Sequence, residues 1–587
     1  MSKQFTTASV PVADLPKKNR NLKSVTLFTN NFFNLTPVFR KPVYIGDSFK
    51  VTGQKVSRTL PMPYPAFSCV NDVYRAFYVP YTSIFRGSTD FFEHANHFYA
   101  DGTQGQITRC PHCTWADFVG AFVNPVISTV VDSGVYDYIV NGNRYKFTQR
   151  GAQIYKVILG LGYDIIGTNK PSDLQDYYCN LLPLMAYLRI FFDWYWPRNY
   201  TPSGTTYGLV RALLARDTSN GYAFSIYDVQ HMLLCLGYSF YDDKDFVDCW
   251  DSPTGPNDPT VNSASSINIT DIDPLVDDSV LYDVTTADSA YLQPKGKISK
   301  FALTALNSLS DFLKRNQLAG STAIQRFLAR HGKKLTYGDD RAIFLGEDYV
   351  PVKVSDVSAT SEGSSYNLGD LAGKGWSDGQ MSFELKDANN RGMFLVLCST
   401  LPDGELYQGV DKYNLATTAL EFYQPEFYNN GVGAVSAVEV YNNPASTINF
   451  SSTLGKDLFT KVFGFYPIWY QYNMIRNMVL GDFRVPSRGD SVLAAAHSFR
   501  VLDDEYFLNS VDNIVHSLEF QYGLDAIQYQ RLTYLANAGS DFLQTYVRWN
   551  VEYNSSIPLA KDTYSFDSDA EHNHGNVTID TGGVEKN

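Results

Sequence analysis

The sequence predicts a mainly β protein with a few helices, in which strands far apart along the chain share one sheet. Three observations carry this expectation. Strand-like text broken by turns runs from Val25 to Pro80, where Gly46-Asp47 opens a turn and PMPYP (Pro61 to Pro65) cannot continue a central strand. β patterns return from Met393 onward in MFLVLCST, EFYQPEFYNN and VFGFYPIWYQY. Between the two lie helical stretches and loops, with 41 Gly and 26 Pro scattered as short strands with many turns require.

Taken in order, residues 1–24 read as an N-terminal arm and 25–130 as the first strands. Segments 131–180 and 205–292 are rich in Asp, Ser, Asn, Gly and Tyr and read as inserted loops on the outer surface. Between them, 181–204 reads as a helical block. Residues 293–335 form a helix–Gly–helix unit. Its apolar stripe is Ile298, Phe301, Ala302, Ala305, Leu306, Leu309, Phe312 and Leu313, and Ser321 caps the second helix. Strands and loops fill 336–560, and 561–587 is an acidic tail. A sheet closed by strands from both ends of a chain is the arrangement of a jelly roll.

Apolar residues make up 44% of the 587 and charged residues 19%, so a large core is expected and global disorder is excluded. Aromatics reach 15%, with 41 Tyr, which suits surfaces buried against partners while partly wet. The formal net charge of −13 argues against strong non-specific binding of nucleic acid. Any such contact is expected to be weak and local, and Lys17, Lys18, Arg20 and Lys23 are the DNA-facing candidates. The opening MSKQFTTASV has no apolar core, so no secretory signal is expected. The most apolar stretch, Leu181 to Trp196, is interrupted by Pro183, Arg189 and Asp193, which argues against membrane insertion. Seven scattered Cys suggest cytosolic synthesis with free thiols.

Several motifs invite a chemical reading. YGDD at Tyr337 to Asp340 resembles the metal-binding turn of viral polymerases, but no palm-like context surrounds it and a turn before the strand AIFLG fits better. His94, His97, Cys110 and Cys113 have the spacing H-x2-H-x12-C-x2-C, a zinc-finger spacing in reversed order, set against a pair of histidines and two unpaired thiols. Gly160-Leu161-Gly162 with Gly167 lacks the dinucleotide fingerprint and reads as a turn. Nothing indicates a nucleophile with its base, so the expectation is a protein that is not an enzyme and carries no cofactor.

Four blocks carry a family resemblance. TPVFRKPVYIGDSFKV (Thr36 to Val51), Arg58 with TLPMPYP, and AFYVPYTSIF (Ala76 to Phe85) resemble the N-terminal strands of microvirus (Microviridae) major capsid proteins, the gokushovirus-like branch especially. LPLMAYLRIFFDWYWPRNY (Leu182 to Tyr200) is similar to a second family block. YLQPKGKI (Tyr291 to Ile298), the helix–Gly–helix unit and VPVKVSDVSATSEG (Val350 to Gly363) are similar to a third. GMFLVLCST, Tyr407 to Asp411, EFYQPEFYNNGVGAV, VFGFYPIWYQY and Gly481 to Arg484 make the fourth. Their common order over most of the chain is the specific signal. Gln471 stands where the family has Glu, the acidic tail replaces a Pro-rich signature, and the gap that holds a spike in some relatives is nearly closed.

The resemblance implies an eight-stranded viral jelly roll with long inserted loops, about sixty copies of which close a T=1 icosahedral shell around circular single-stranded DNA. It implies a bacteriophage virion protein made in the bacterial cytoplasm. Its partners would be a small basic DNA-binding protein, pilot and scaffolding proteins, and a host receptor met through the outer loops. The competing reading is a trimeric β-sandwich adhesion or receptor-binding protein, whose Tyr-rich loops would suit sugar stacking. An enzyme centred on Asp339 and Asp340 ranks behind both.

Overall fold

A computed structural model describes residues 17–60, 70–164, 177–195, 206–217, 222–237, 239, 341–358, 371–402, 405–406, 409–425, 432–440, 462–476, 478, 480, 499–500 and 541–557. The YGDD turn, the helix–Gly–helix unit, residues 1–16 of the arm and the acidic tail lie outside these.

Eight strands form one antiparallel sheet: β1 (Lys18–Asn30), β2 (Leu35–Val43), β3 (Ser48–Thr59), β4 (Val70–Pro80), β5 (Ile343–Ser358), β6 (Leu371–Leu385), β7 (Gly392–Pro402) and β8 (Leu543–Ser555). Their order is β1-β8-β3-β6-β5-β4-β7-β2. The pairing is nested: first with last, second with seventh, third with sixth and fourth with fifth. Ladders β8·β3, β6·β5 and β4·β7 join these pairs. The two end strands come together where Thr26 Oγ1 of β1 donates to the Val38 carbonyl of β2 at 2.9 Å, so the sheet is nearly closed.

Burial follows from position in the sheet. In β3, β6 and β8 every second residue is buried, because one face meets the core and the other meets solvent. β4 and β7 are buried on both faces, and the last five residues of β4 and most of β7 read as apolar runs. On the inside of the curled sheet, Tyr74, Ala76 and Tyr78 of β4 and Phe394 and Val396 of β7 meet Phe49, Met381, Phe383, Val547 and Trp549 from the other half. On the outside, Val73, Phe77, Val79, Leu395 and Leu397 pack against a helical layer.

That layer comes from the long excursion between β4 and β5. It contains α1 (Gln149–Leu161), α2 (Leu182–Ile190), α3 (Thr206–Leu214) and α4 (Ile226–Leu234). α1 lies along β2, and a Cβ at Gly160 would stand 2.3 Å from the Pro37 carbonyl oxygen, so only glycine permits this approach. Buried Ile154, Val157, Ile158 and Leu161 give α1 a core-facing stripe. α1, α3 and α4 fall in segments expected from the sequence to be surface loops, and their described parts instead supply core. A small three-stranded sheet (Ser128–Val130, Tyr138–Val140, Asn143–Phe147) precedes α1. The expected strand in EFYQPEFYNN is absent from its described residues, which hold the end of a 3-10 turn, Ala419–Glu421, followed by irregular chain to Pro425. α2 continues into a π-helical turn, Phe191–Tyr195. There Asp193 accepts from Arg189 Nε at 2.8 Å and from the Ala342 N–H at 2.9 Å, which ties the helical block to the start of β5.

Candidate interaction surface

The outer face of β1, β8, β3 and β6 carries apolar residues that strand alternation turns away from the core. Leu27, Tyr546 and Val56 are register neighbours on three adjacent strands, and they are 74%, 43% and 54% exposed. Exposed Val25 extends the row along β1. Exposed Trp376 lies on β6 opposite Arg58, with Lys353 Nζ 4.7 Å from its ring centroid. A groove of ≈ 920 Å³ opens beside this row, lined by Leu27, Val56, Arg58, Tyr546 and, from α1, Lys156 and Leu159. Contiguous apolar surface of this kind, rimmed by charge, is characteristic of protein–protein contacts. Sequence reasoning missed it because β1 is largely polar and Val56 breaks the alternation of β3.

The four basic candidates do not form one patch. Lys17 pairs with Asp387 at 3.1 Å. Arg20 turns its guanidinium to the Ile557 carbonyl, while Lys23 is exposed on the strand. Lys18 and Arg20 are half-buried, with exposed Asn19 between them.

The zinc-spaced residues are likewise separated in role. His94 is exposed in a left-handed turn at φ 53°, whereas His97 is buried and uses both ring nitrogens. Its Nδ1 lies 2.6 Å from Asp90 Oδ2 and its Nε2 lies 2.9 Å from Asp217 Oδ1. Asp217 also accepts from the Tyr222 hydroxyl at 2.9 Å, and Arg86 stands 3.9 Å away. Cys113 sits opposite Cys179 on a short strand pair, and Cys110 is half-buried. Among the described residues no three His, Cys, Asp or Glu side chains are grouped to hold a metal ion. None of the described helices is long and apolar enough to cross a membrane.

With a carboxylate at each nitrogen, the site favours the imidazolium, the form in which both ring nitrogens donate. Burial acts to lower its pKa, but the hydrogen bonds and charges of Asp90 and Asp217 outweigh this and the net shift is upward. A raised folded-state pKa gives stability that is complete below the unfolded value, near ~6.5, and is lost as pH rises through the folded value. Denaturation followed from neutral to alkaline pH is therefore expected to show a loss of stability in the wild type that His97→Gln does not share. Equal pH slopes in the two proteins would contradict the clamp.

No family model matches the chain, and no curated protein matches it.

Proposed function

We propose that this chain is the major capsid protein of a small single-stranded-DNA phage of the microvirus type, a jelly-roll subunit that closes a T=1 shell. The observation that carries the reading is the strand order. A long antiparallel ribbon, folded in half and wound up, yields the nested pairing of first with last through fourth with fifth, and this is how a double Greek-key jelly roll is built. The sequence blocks that resemble the family support it as well. Thr36 to Val51 spans β2, a turn and the start of β3, Ala76 to Pro80 ends β4, and GMFLVLCST lies in β7.

The apolar row on the outer face gives such a subunit something to assemble with. The row combines Leu27, Val56 and Tyr546 with Arg58 and Lys156 at its edge, an apolar centre with a charged rim as expected of a contact surface. The acidity of the chain assigns most neutralisation of the genome to a small basic partner and leaves this chain weak, salt-sensitive contact with DNA.

Replacing Leu27 and Tyr546 by Asp tests the assembly face. Both side chains are exposed, so the fold should be retained at a cost of about 1–2 kcal/mol from two like charges facing each other on paired strands, together with loss of particles by negative-stain microscopy. Unchanged particles from the double variant would remove this face from the assembly. Discrete trimers from the wild type would instead favour the adhesion reading.

A further inference from the structure

We infer that Cys113 and Cys179 form a dithiol that an external disulfide oxidant converts into an intramolecular staple, with Cys110 as the entry thiol. This rests on the strand register and the burial of the three thiols, and it is independent of the assembly reading.

Tyr178–Asn180 pairs antiparallel with His112–Thr114, and the register sets Cys179 directly opposite Cys113. Two backbone bonds flank the pair symmetrically, Trp115 N–H to the Tyr177 carbonyl at 2.8 Å and Leu181 N–H to the Pro111 carbonyl at 3.0 Å. The cysteines therefore occupy a hydrogen-bonded register position, where Cα atoms stand about 5.5 Å apart. A disulfide spans Cα separations of roughly 4.4–6.8 Å, so the Cα atoms are in range, and bond closure requires only that the Cβ atoms draw in by about 1 Å through a small local twist of the strand pair. Side chains opposite one another in such a ladder lie on the same face. Both are buried, at 2% and 3% exposure. The Cys179 thiol, through a hydrogen bond and then with burial and its charge, pushes the Cys113 pKa upward, which is the signature of two thiols side by side.

Buried thiols are shielded from solutes, so the pair needs a relay. Cys110 is the half-buried member of Cys110-Pro111-His112-Cys113, with its Sγ 3.7 Å from Asn180 Oδ1, and burial raises its thiol pKa above the ordinary value, so the relay starts with loss of its proton and runs fastest at alkaline pH. A small-molecule disulfide such as oxidised glutathione supplies the oxidising equivalents. The Cys110 thiolate attacks one sulfur and expels a glutathione thiolate, giving a mixed disulfide. Cys113 then attacks the Cys110 sulfur and expels the second glutathione thiolate. Cys179 finally attacks Cys113, and the Cys110 thiol is restored. Two protein thiols are oxidised, one small disulfide is reduced to two thiols, and the two protons pass to the released thiolates. The product ties the strand before the three-stranded sheet and α1 to the strand before α2, so it closes the chain around that subdomain.

The test treats reduced, folded full-length protein with oxidised glutathione, followed by acid quenching, alkylation and peptide mapping by mass spectrometry. The expected product is a Cys113–Cys179 linked peptide, accompanied by a rise in Tm that dithiothreitol reverses. Cys110→Ser should yield the same link at least tenfold more slowly, and Cys179→Ser should show no rise in Tm. A glutathione adduct on Cys110 as the end product, a terminal Cys110–Cys113 link, or no reaction of the folded protein would each overturn the assignment.

Discussion

Lys55→Met is expected to lower the free energy of unfolding by about 3–5 kcal/mol, because it leaves a buried carboxylate without its counter-ion. Lys55 of β3 pairs with Asp72 of β4, and both side chains are fully buried. The pair bridges strands that are not sheet neighbours, so it fastens one half of the curled sheet to the other. Lys55 Nζ also donates to Ser377 of β6 at 3.0 Å. Thr400 of β7 donates to Asp72 at 2.6 Å and accepts from Asn30 of β1 at 3.0 Å. Thr36 of β2 donates to Asn30 at 3.2 Å. Six of the eight strands thus meet in one polar network, and removing a single member leaves the others desolvated. Denaturant unfolding of Lys55→Met and of Lys55→Met with Asp72→Leu provides the check. The double variant should recover much of the loss, since a paired charge replaced by apolar volume is far less costly than one left alone. Equal instability of the two would show that the network acts through packing rather than charge.

Trp549→Ala is expected to cost a similar amount, about 3–5 kcal/mol, through loss of apolar burial and the cavity left behind. The indole is fully buried at the centre of the inner core, with its ring 5.2 Å from that of Phe39 and its Nε1 donating to Thr26 Oγ1 at 3.1 Å. It lies so close to β3 that a Cβ at Gly53 would stand 2.6 Å from the ring. Gly53→Ala alone should therefore destabilise by about 1–3 kcal/mol through overpacking. In the Trp549→Ala background most of that cost should disappear, because the ring is gone and only the flexible Met381 side chain, 2.9 Å from the added Cβ, is left to shift. Additive losses in the two-site cycle would place the Gly53 effect in the backbone rather than in contact with the indole.

The same residues show which parts of the fold the sequence makes legible. β8 could be read directly, since Leu543, Thr545, Val547, Trp549, Val551 and Tyr553 alternate with polar neighbours and are all buried. β3 could be read only as far as Gly53. There Phe49 and Val51 point inward as their types suggest, but beyond Gly53 the polarity inverts, with Lys55 buried and Val56 exposed. What permits the inversion is Asp72 on a different strand, and no local pattern announces a partner that tertiary folding supplies. The exposed row escaped notice for the same reason.

α1 was legible in principle. Thr148 Oγ1 accepts from the Gly151 N–H at 3.0 Å, Ile154, Val157, Ile158 and Leu161 recur at helical spacing, and Gly162 closes the helix at φ 96°. The polar composition of the surrounding segment outweighed that local signal. α4 carries a capping box between Ser225 and Asp228, a second signal inside a segment whose overall composition suggests loops. The His97 clamp and the Cys113–Cys179 pair arise from residues brought together by the fold, and the C-x-x-C and H-x-x-H spacings offered only a zinc site or a histidine pair beside unpaired thiols. The nested strand order is likewise invisible until register is known.

Closure of this chain into a shell, as proposed, is decided by the mass of the assembled species. Native mass measurement of the purified protein, co-expressed with the remaining virion proteins of the phage, should reveal a species of about sixty times the 65.9 kDa of one chain. Pentamers that convert to that species on addition of scaffolding protein agree with the same account. A preparation that contains only monomers or trimers under those conditions would contradict it.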